Sequence, residues 1–311
     1  MRVLISAPYL LPFIEQYRPV LEDAGAELIL PAVRERLSEA ELLPLVKEID
    51  GAICGDDQFT ATVLRHAPRL KVISKWGTGV DSIDVSTAIE LGIRVCNTKN
   101  AFTDAVADTT LGYVLNFARG LTEMDREVRG GLWRKPGLRS LRECTLGIVG
   151  VGHIGRAVAQ RARAFGMQTL GNDRLRIDPL VLSDHGLKMT SLANLLQSSD
   201  FVSLHCDLNE SSFHLIGGEQ LRLMKSSAYL INSSRGAVVD EAALVEALSS
   251  GIICGAALDV FETEPLPLES PLRTLPNCLL APHNANSSPE AWQRVHQLTI
   301  ANLLNALRED R

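Results

Sequence analysis

Gly150-Val151-Gly152-His153-Ile154-Gly155 sets three glycines in a G-x-G-x-x-G spacing. Such a run suits a sharp turn from a strand into a helix, wrapped against a diphosphate. The first glycine permits the turn, the second lets a ligand approach the backbone, and the third lets helix and strand pack closely. Leu146–Val149 before the run is strand-like, and Arg156–Ala162 after it is helical in pattern. Uncapped N–H groups and the dipole at a helix start favour the negative charge of a diphosphate. A second strand-like run, Met167–Asn172, leads into Asp173. That acid lies about 20 residues past the turn, where a carboxylate binds ribose hydroxyls. The expected dinucleotide site is therefore Gly150, Gly152, His153, Ile154, Gly155 and Asp173. Asp173 repels a 2′-phosphate, which favours NAD over NADP, while Arg174 and Arg176 pull the other way.

Three later segments carry residues able to move protons or bind anions. They are Ile231-Asn232-Ser233-Ser234-Arg235-Gly236, Asp259-Val260-Phe261-Glu262-Thr263-Glu264-Pro265 and Ala281-Pro282-His283. Singly, each has an ordinary reading: a surface arginine, a turn glutamate, a structural histidine. Together with the glycine turn, and in this order, they resemble the D-isomer-specific 2-hydroxyacid dehydrogenases. The resemblance spans nearly the whole chain. An earlier run, Lys75-Trp76-Gly77-Thr78-Gly79-Val80-Asp81, is similar to that family's substrate loop, particularly in its phosphoglycerate dehydrogenase branch.

The resemblance implies roles that make chemical sense. Arg235 would pair with a substrate carboxylate and polarise the keto oxygen, tasks that suit a planar guanidinium. His283 would be the acid–base residue, since histidine titrates near neutral pH. Glu264 would orient its imidazole and favour the protonated form. Asp259 would orient the nicotinamide, and Cys206 and Ser233 would border the cofactor. Backbone N–H groups of Thr78, Gly79 and Val80 would hold the substrate carboxylate, with Lys75 and Trp76 beside them. His153, His205, His214 and His296 are rival histidines, none of which lies in a comparable catalytic motif. The implied reaction is reversible hydride transfer between NAD and C2 of a small anionic 2-hydroxy or 2-keto acid.

Some positions depart from the family pattern: Lys99, Phe102, Asp207 and Asn284-Ala285-Asn286. Lys75 and Lys99 would suit an extra anionic group on the substrate, a phosphate or phosphonate. A non-catalytic NAD(H)-sensing corepressor of the same fold remains the alternative, because such relatives keep much of the same site.

The elements needed to position these residues are readable. Val3–Ala7, Glu27–Leu30, Gly51–Cys54, Lys71–Ser74 and Arg94–Cys96 read as one series of strands. Leu146–Val149, Met167–Leu170, Phe201–His205, Ala228–Ile231, Gly255–Val260 and Leu279–Ala281 read as a second. Amphipathic stretches between them predict helices, including Ser38–Ile49 with Ser38 and Glu41 as a capping pair. Strands alternating with helices imply parallel sheets covered on both faces. Two long helical patterns, 103–128 and 289–307, would carry the chain between domains. The expected architecture is two Rossmann-like, doubly wound α/β domains with the active site in the cleft between them. A discontinuous substrate domain would take residues 1–98 plus 285–311, and an NAD domain 99–284.

Composition bounds the rest. The 311 residues carry 46 % hydrophobic and 22 % charged residues, near the globular average, and a net charge of −6. That balance argues against nucleic acid or an anionic membrane as the main partner. No run approaches the roughly 20 apolar residues of a membrane helix, and no signal peptide is evident. The six cysteines form no C-x-x-C pair, so no metal is expected and a reducing, cytoplasmic compartment is. Little chain follows the last helical pattern, so no appended regulatory domain is expected. The resemblance further implies a homodimer joined through the cofactor domain and the 103–128 helix.

Overall fold

The structure is a computed structural model that describes residues 1–309. The chain divides into two compact units. The first comprises Met1–Ala101 and the residues from Ser288 onward, and the second is Phe102–Ser287. The crossings thus fall at 101/102 and 287/288, a little beyond the expected 98/99 and 284/285.

The first unit holds β1 (Arg2–Ile5), β2 (Glu27–Ile29), β3 (Gly51–Cys54), β4 (Val72–Lys75) and β5 (Arg94–Cys96). They form one parallel sheet in the order β2-β1-β3-β4-β5. β3 and β4 are buried along their whole length, as central parallel strands covered on both faces must be. One face packs on Leu42, Phe59, Val63 and Leu64. The other lies under the C-terminal helix Pro289–Glu309. There a side chain on Gly51 would come within 2.8 Å of Leu303, so glycine lets that helix settle onto the sheet. The Ser74 hydroxyl also donates to the Thr299 carbonyl of that helix at 2.8 Å.

The expected helix Ser38–Ile49 is not continuous. The Ser38–Glu41 capping pair forms, with the Ser38 amide donating to the Glu41 carboxylate at 2.8 Å. The α-helix then covers only Glu39–Leu42, followed by a 3-10 turn at Val46–Glu48. Pro44 lies between them, and proline lacks the N–H that a continuing helix needs.

The second unit holds β6 (Thr145–Val149), β7 (Gln168–Asn172), β8 (Leu187–Met189), β9 (Phe201–Leu204), β10 (Tyr229–Asn232), β11 (Gly255–Leu258) and β12 (Cys278–Leu280). All pair in parallel, in the order β12-β11-β10-β9-β6-β7-β8. The edge strand β8 is additional to the expected series; three residues leave too short a period to read. The pattern at 103–128 is two helices, Thr103–Arg119 and Leu121–Arg129. Gly120 separates them in the left-handed region, at φ 57°, where glycine ends a helix at little cost.

Both units are doubly wound parallel α/β folds. The strand order reverses between β1 and β3 in the first and between β6 and β9 in the second. Open sheets of this kind bind ligands at the carboxyl ends of strands beside such reversals. Among the described residues, no helix is long and apolar enough to cross a membrane.

Candidate active site

The glycine turn stands at the carboxyl end of β6, at the strand reversal. Gly150 has φ 93°, and a side chain there would come within 2.6 Å of the Cys206 amide. A side chain on Gly155 would come within 2.1 Å of the Gly150 carbonyl oxygen. Both positions require glycine. Gly152, by contrast, has no neighbour within 4 Å of a would-be side chain, so its backbone can be approached. The helix His153–Ala164 then begins without a side-chain cap. Its first-turn N–H groups are left for a ligand, and His153 is exposed beside them. These features fit a dinucleotide diphosphate.

Asp173 follows β7 and is oriented by two backbone amides. Val151 donates to its Oδ2 at 2.7 Å and Leu175 to its Oδ1 at 2.8 Å. A carboxylate has about four lone-pair sites, so acceptor capacity remains for ribose hydroxyls. Arg174 and Arg176 are exposed. Cys206 meets Gly150 through its backbone, and burial pushes its thiol up to about 11.

Arg235, Glu264 and His283 come from the carboxyl ends of three adjacent strands, β10, β11 and β12. Parallel pairing carries them to one edge of the sheet. The Asp259 amide donates to the Asn232 carbonyl at 2.9 Å, and the His283 amide to the Asp259 carbonyl at 2.7 Å. A side chain on Gly236 would fall 1.9 Å from the Phe261 carbonyl carbon, so the Arg235 loop lies directly against the Glu264 loop. Arg235 donates through Nη1 to the Ser234 carbonyl at 2.8 Å. Asn232 braces the turn, donating to the Arg235 carbonyl and accepting from Ser234. Ser233 lies 3.3 Å, hydroxyl to hydroxyl, from Thr110.

His283 Nδ1 and Glu264 Oε2 are 2.8 Å apart. Glu264 Oε1 accepts from the Phe261 amide at 2.8 Å, which fixes the carboxylate. An ionised carboxylate only accepts, so Nδ1 carries a proton and Nε2 is the nitrogen able to exchange one. The side chains are 27 % and 23 % exposed, open enough for a small reactant to reach. His283 itself sits at φ 51°, a left-handed conformation that histidine tolerates better than most residues.

Besides His153, exposed at the glycine turn, the rival histidines are otherwise engaged. His205 pairs with the Ser203 hydroxyl at 2.7 Å, and burial holds it neutral, pushed down to about 3. His214 pairs with Glu262 at 2.9 Å. His296 accepts from the Trp76 indole at 2.9 Å. Asp259 takes a role beyond the one expected. Its buried carboxylate accepts from the Asn284 and Ala285 amides, both at 2.9 Å, and so locks the His283 loop. Thr110 and Asn232 were not legible as site residues, because hydroxyl and amide side chains occur in many structural turns.

The predicted substrate loop follows β4 in the first unit. Thr98 donates to the Gly77 carbonyl at 2.9 Å, Thr78 to the Thr98 carbonyl at 3.1 Å, and Asn97 to the Thr78 carbonyl at 2.6 Å. Among the described residues the amides of Thr78, Gly79 and Val80 donate no hydrogen bond. Two expectations change here. Trp76 is 3 % exposed, its ring in a cluster with Tyr9, Trp292 and His296, so it is core rather than a substrate contact. The Lys75 side chain is 4 % exposed and its ammonium lies 3.1 Å from Asp56, so its charge is already compensated. Lys99 is exposed.

A dinucleotide turn in the same unit as an imidazole–carboxylate pair and an adjacent guanidinium defines the class of nicotinamide-dependent dehydrogenases. Residues 111–285 match the family described as D-isomer specific 2-hydroxyacid dehydrogenase, NAD binding domain. The chain is similar to a glyoxylate reductase of Thermofilum pendens, 43 % identical over 278 residues that cover 87 % of this chain and 82 % of the relative. A D-3-phosphoglycerate dehydrogenase of Methanocaldococcus jannaschii is 37 % identical over 96 % of this chain and 56 % of its own length. Among solved structures, a D-lactate dehydrogenase of Aquifex aeolicus complexed with NAD and lactic acid superposes with a TM-score of 0.89. That protein is 29 % identical, with 100 % of this chain and 96 % of the other covered. The chain belongs to the D-isomer-specific 2-hydroxyacid dehydrogenases. It is an NAD-dependent oxidoreductase acting on CH–OH groups.

Proposed function

We propose that this dehydrogenase reduces a small, singly charged 2-keto acid of the glyoxylate class. The observation that carries the reading is the His283–Glu264 pair at 2.8 Å, on loops jammed against the Arg235 turn. NADH, when bound, supplies the hydride that goes to C2. His283 gives its Nε2 proton to the keto oxygen as that oxygen gains charge, and retakes it in the reverse direction. Glu264 keeps Nδ1 protonated and stabilises the imidazolium. Arg235 pairs with the substrate carboxylate and polarises the keto group. The free amides of Thr78, Gly79 and Val80 take the other carboxylate oxygen. Gly150, Gly152, His153, Ile154, Gly155, Asp173, Cys206, Ser233 and Asp259 form the cofactor side.

Glyoxylate is favoured over a phosphorylated or phosphonylated acid by the compensated charge of Lys75 and by the glyoxylate reductase relatives. The test is NADH consumption with glyoxylate, pyruvate and phosphonopyruvate. Turnover strongest with the plain acids supports the reading. Tight NADH binding without turnover of any of them contradicts it and supports a non-catalytic sensor. We further propose that the protein acts as a homodimer. Leu121, Val128, Leu132 and Trp133 are exposed apolar side chains close together in sequence in the NAD-binding unit.

A further inference from the structure

Lys75 and Asp56 belong to a polar network at the carboxyl ends of β1, β3 and β4. Asp57 anchors it. Its Oδ2 accepts from the Ser6 hydroxyl at 2.7 Å and the Gly55 amide at 3.1 Å, and its Oδ1 from the Leu37 amide at 2.6 Å. Asp56, next in the same turn, is partly exposed and meets the buried ammonium of Lys75 at 3.1 Å. Lys75 also donates to the Trp76 carbonyl at 3.1 Å, just before the turn that bears the free amides of Thr78 to Val80. The ammonium lies 3.4 Å from where a side chain on Gly77 would begin. Of its three N–H groups, two are used by Asp56 and Trp76.

Resting on the reading that this turn holds the substrate carboxylate, we propose that the Lys75–Asp56 pair sets specificity for singly charged over doubly charged 2-keto acids. Lys75 is a positioning residue. It ties the start of the turn down through the Trp76 carbonyl and places positive charge beneath the amides. Asp56 cancels most of that charge beyond the nearest carboxylate, so a second anionic group on the substrate finds no unbalanced cation. A buried lysine with no acid partner would favour such a group instead, since a charge near low-dielectric walls acts over several ångströms.

The experiment compares kcat/KM for pyruvate and phosphonopyruvate, which share a carbon skeleton, in the wild type, Asp56→Asn, Lys75→Met and Lys75→Arg. Asp56→Asn is expected to raise the phosphonopyruvate-to-pyruvate ratio roughly tenfold. Lys75→Met is expected to raise KM for pyruvate by more than it lowers kcat, with Lys75→Arg recovering much of the loss and NADH affinity holding in both. Should Asp56→Asn fail to fold, judged by melting and NADH binding, Asp56→Ser gives the second neutral replacement. A ratio that stays at the wild-type value in an active Asp56 variant overturns the proposal, as does a wild-type KM in Lys75→Met. A wild type that binds NADH but turns over neither acid overturns the underlying reading instead, and the proposal with it.

Discussion

In the proposed mechanism His283 holds a proton on one ring nitrogen while the other exchanges one, and Glu264, 2.8 Å from Nδ1, divides those tasks. Glu264→Gln keeps the shape and removes the charge. Its imidazolium is less stabilised, so the alkaline limb of the keto-acid reduction profile should move to lower pH, with kcat reduced. A profile that superimposes on the wild type would show that Glu264 only fills space. A second histidine gives a pH effect on folding. Burial holds His205 neutral down to about 3, against 6.5 for the free group. Its Nδ1 is buried with no partner, so nothing in the fold favours the charged form. The unfolded chain binds that proton below about pH 6.5 while the folded chain does not. Stability from this group is therefore fully present above that pH and falls as pH drops toward 3, by about 1.4 kcal/mol per pH unit for one proton. His205→Asn should melt with a shallower pH dependence than the wild type across that window. Equal slopes would mean that other groups control it.

At the scale of elements, the strand ends do the positioning, and they were the most readable part of the chain. Glycine spacing, a following acid and three polar segments behind apolar runs were enough to place Gly150 to Gly155 at a strand-to-helix turn, and Asp173, Arg235, Glu264 and His283 on loops after strands. Where the structure departs from periodicity, a local residue competes with it. Pro44 stops a helix that periodicity alone would continue, and Gly120 splits another. The burial of Lys75 was not legible, because the acid that makes it tolerable, Asp56, lies on a different strand end. Nor could the bracing of the His283 loop by Asp259 be read, since it depends on amides some 25 residues on. The helix–strand packing at Gly155 gives a direct check. Gly155→Ala would force a methyl to within 2.1 Å of the Gly150 carbonyl, so the turn must open. NADH affinity should fall at least tenfold, and stability by about 1–3 kcal/mol, the usual cost of overpacking. Unchanged NADH titration would mean that the turn is looser than its geometry.

In the whole molecule, the unit Phe102–Ser287, which includes the stretch matched by the NAD binding domain, carries the His283–Glu264 pair and Arg235, and the amides of Thr78 to Val80 lie in the other unit. The dimer proposal has its own test at Trp133, a large apolar ring that is 79 % exposed in the NAD-binding unit. Trp133→Glu should sediment as a monomer where the wild type sediments as a dimer. A monomeric wild type would end that proposal. Proton transfer by His283 is the step on which the proposed reaction depends. Steady-state NADH oxidation with glyoxylate, measured for the wild type and His283→Gln alongside NADH binding, tests it most directly. In His283→Gln, kcat is expected to fall by about 10²–10⁴, the usual contribution of a general acid, while NADH affinity holds. A His283→Gln enzyme that turns over glyoxylate at close to the wild-type rate would contradict it.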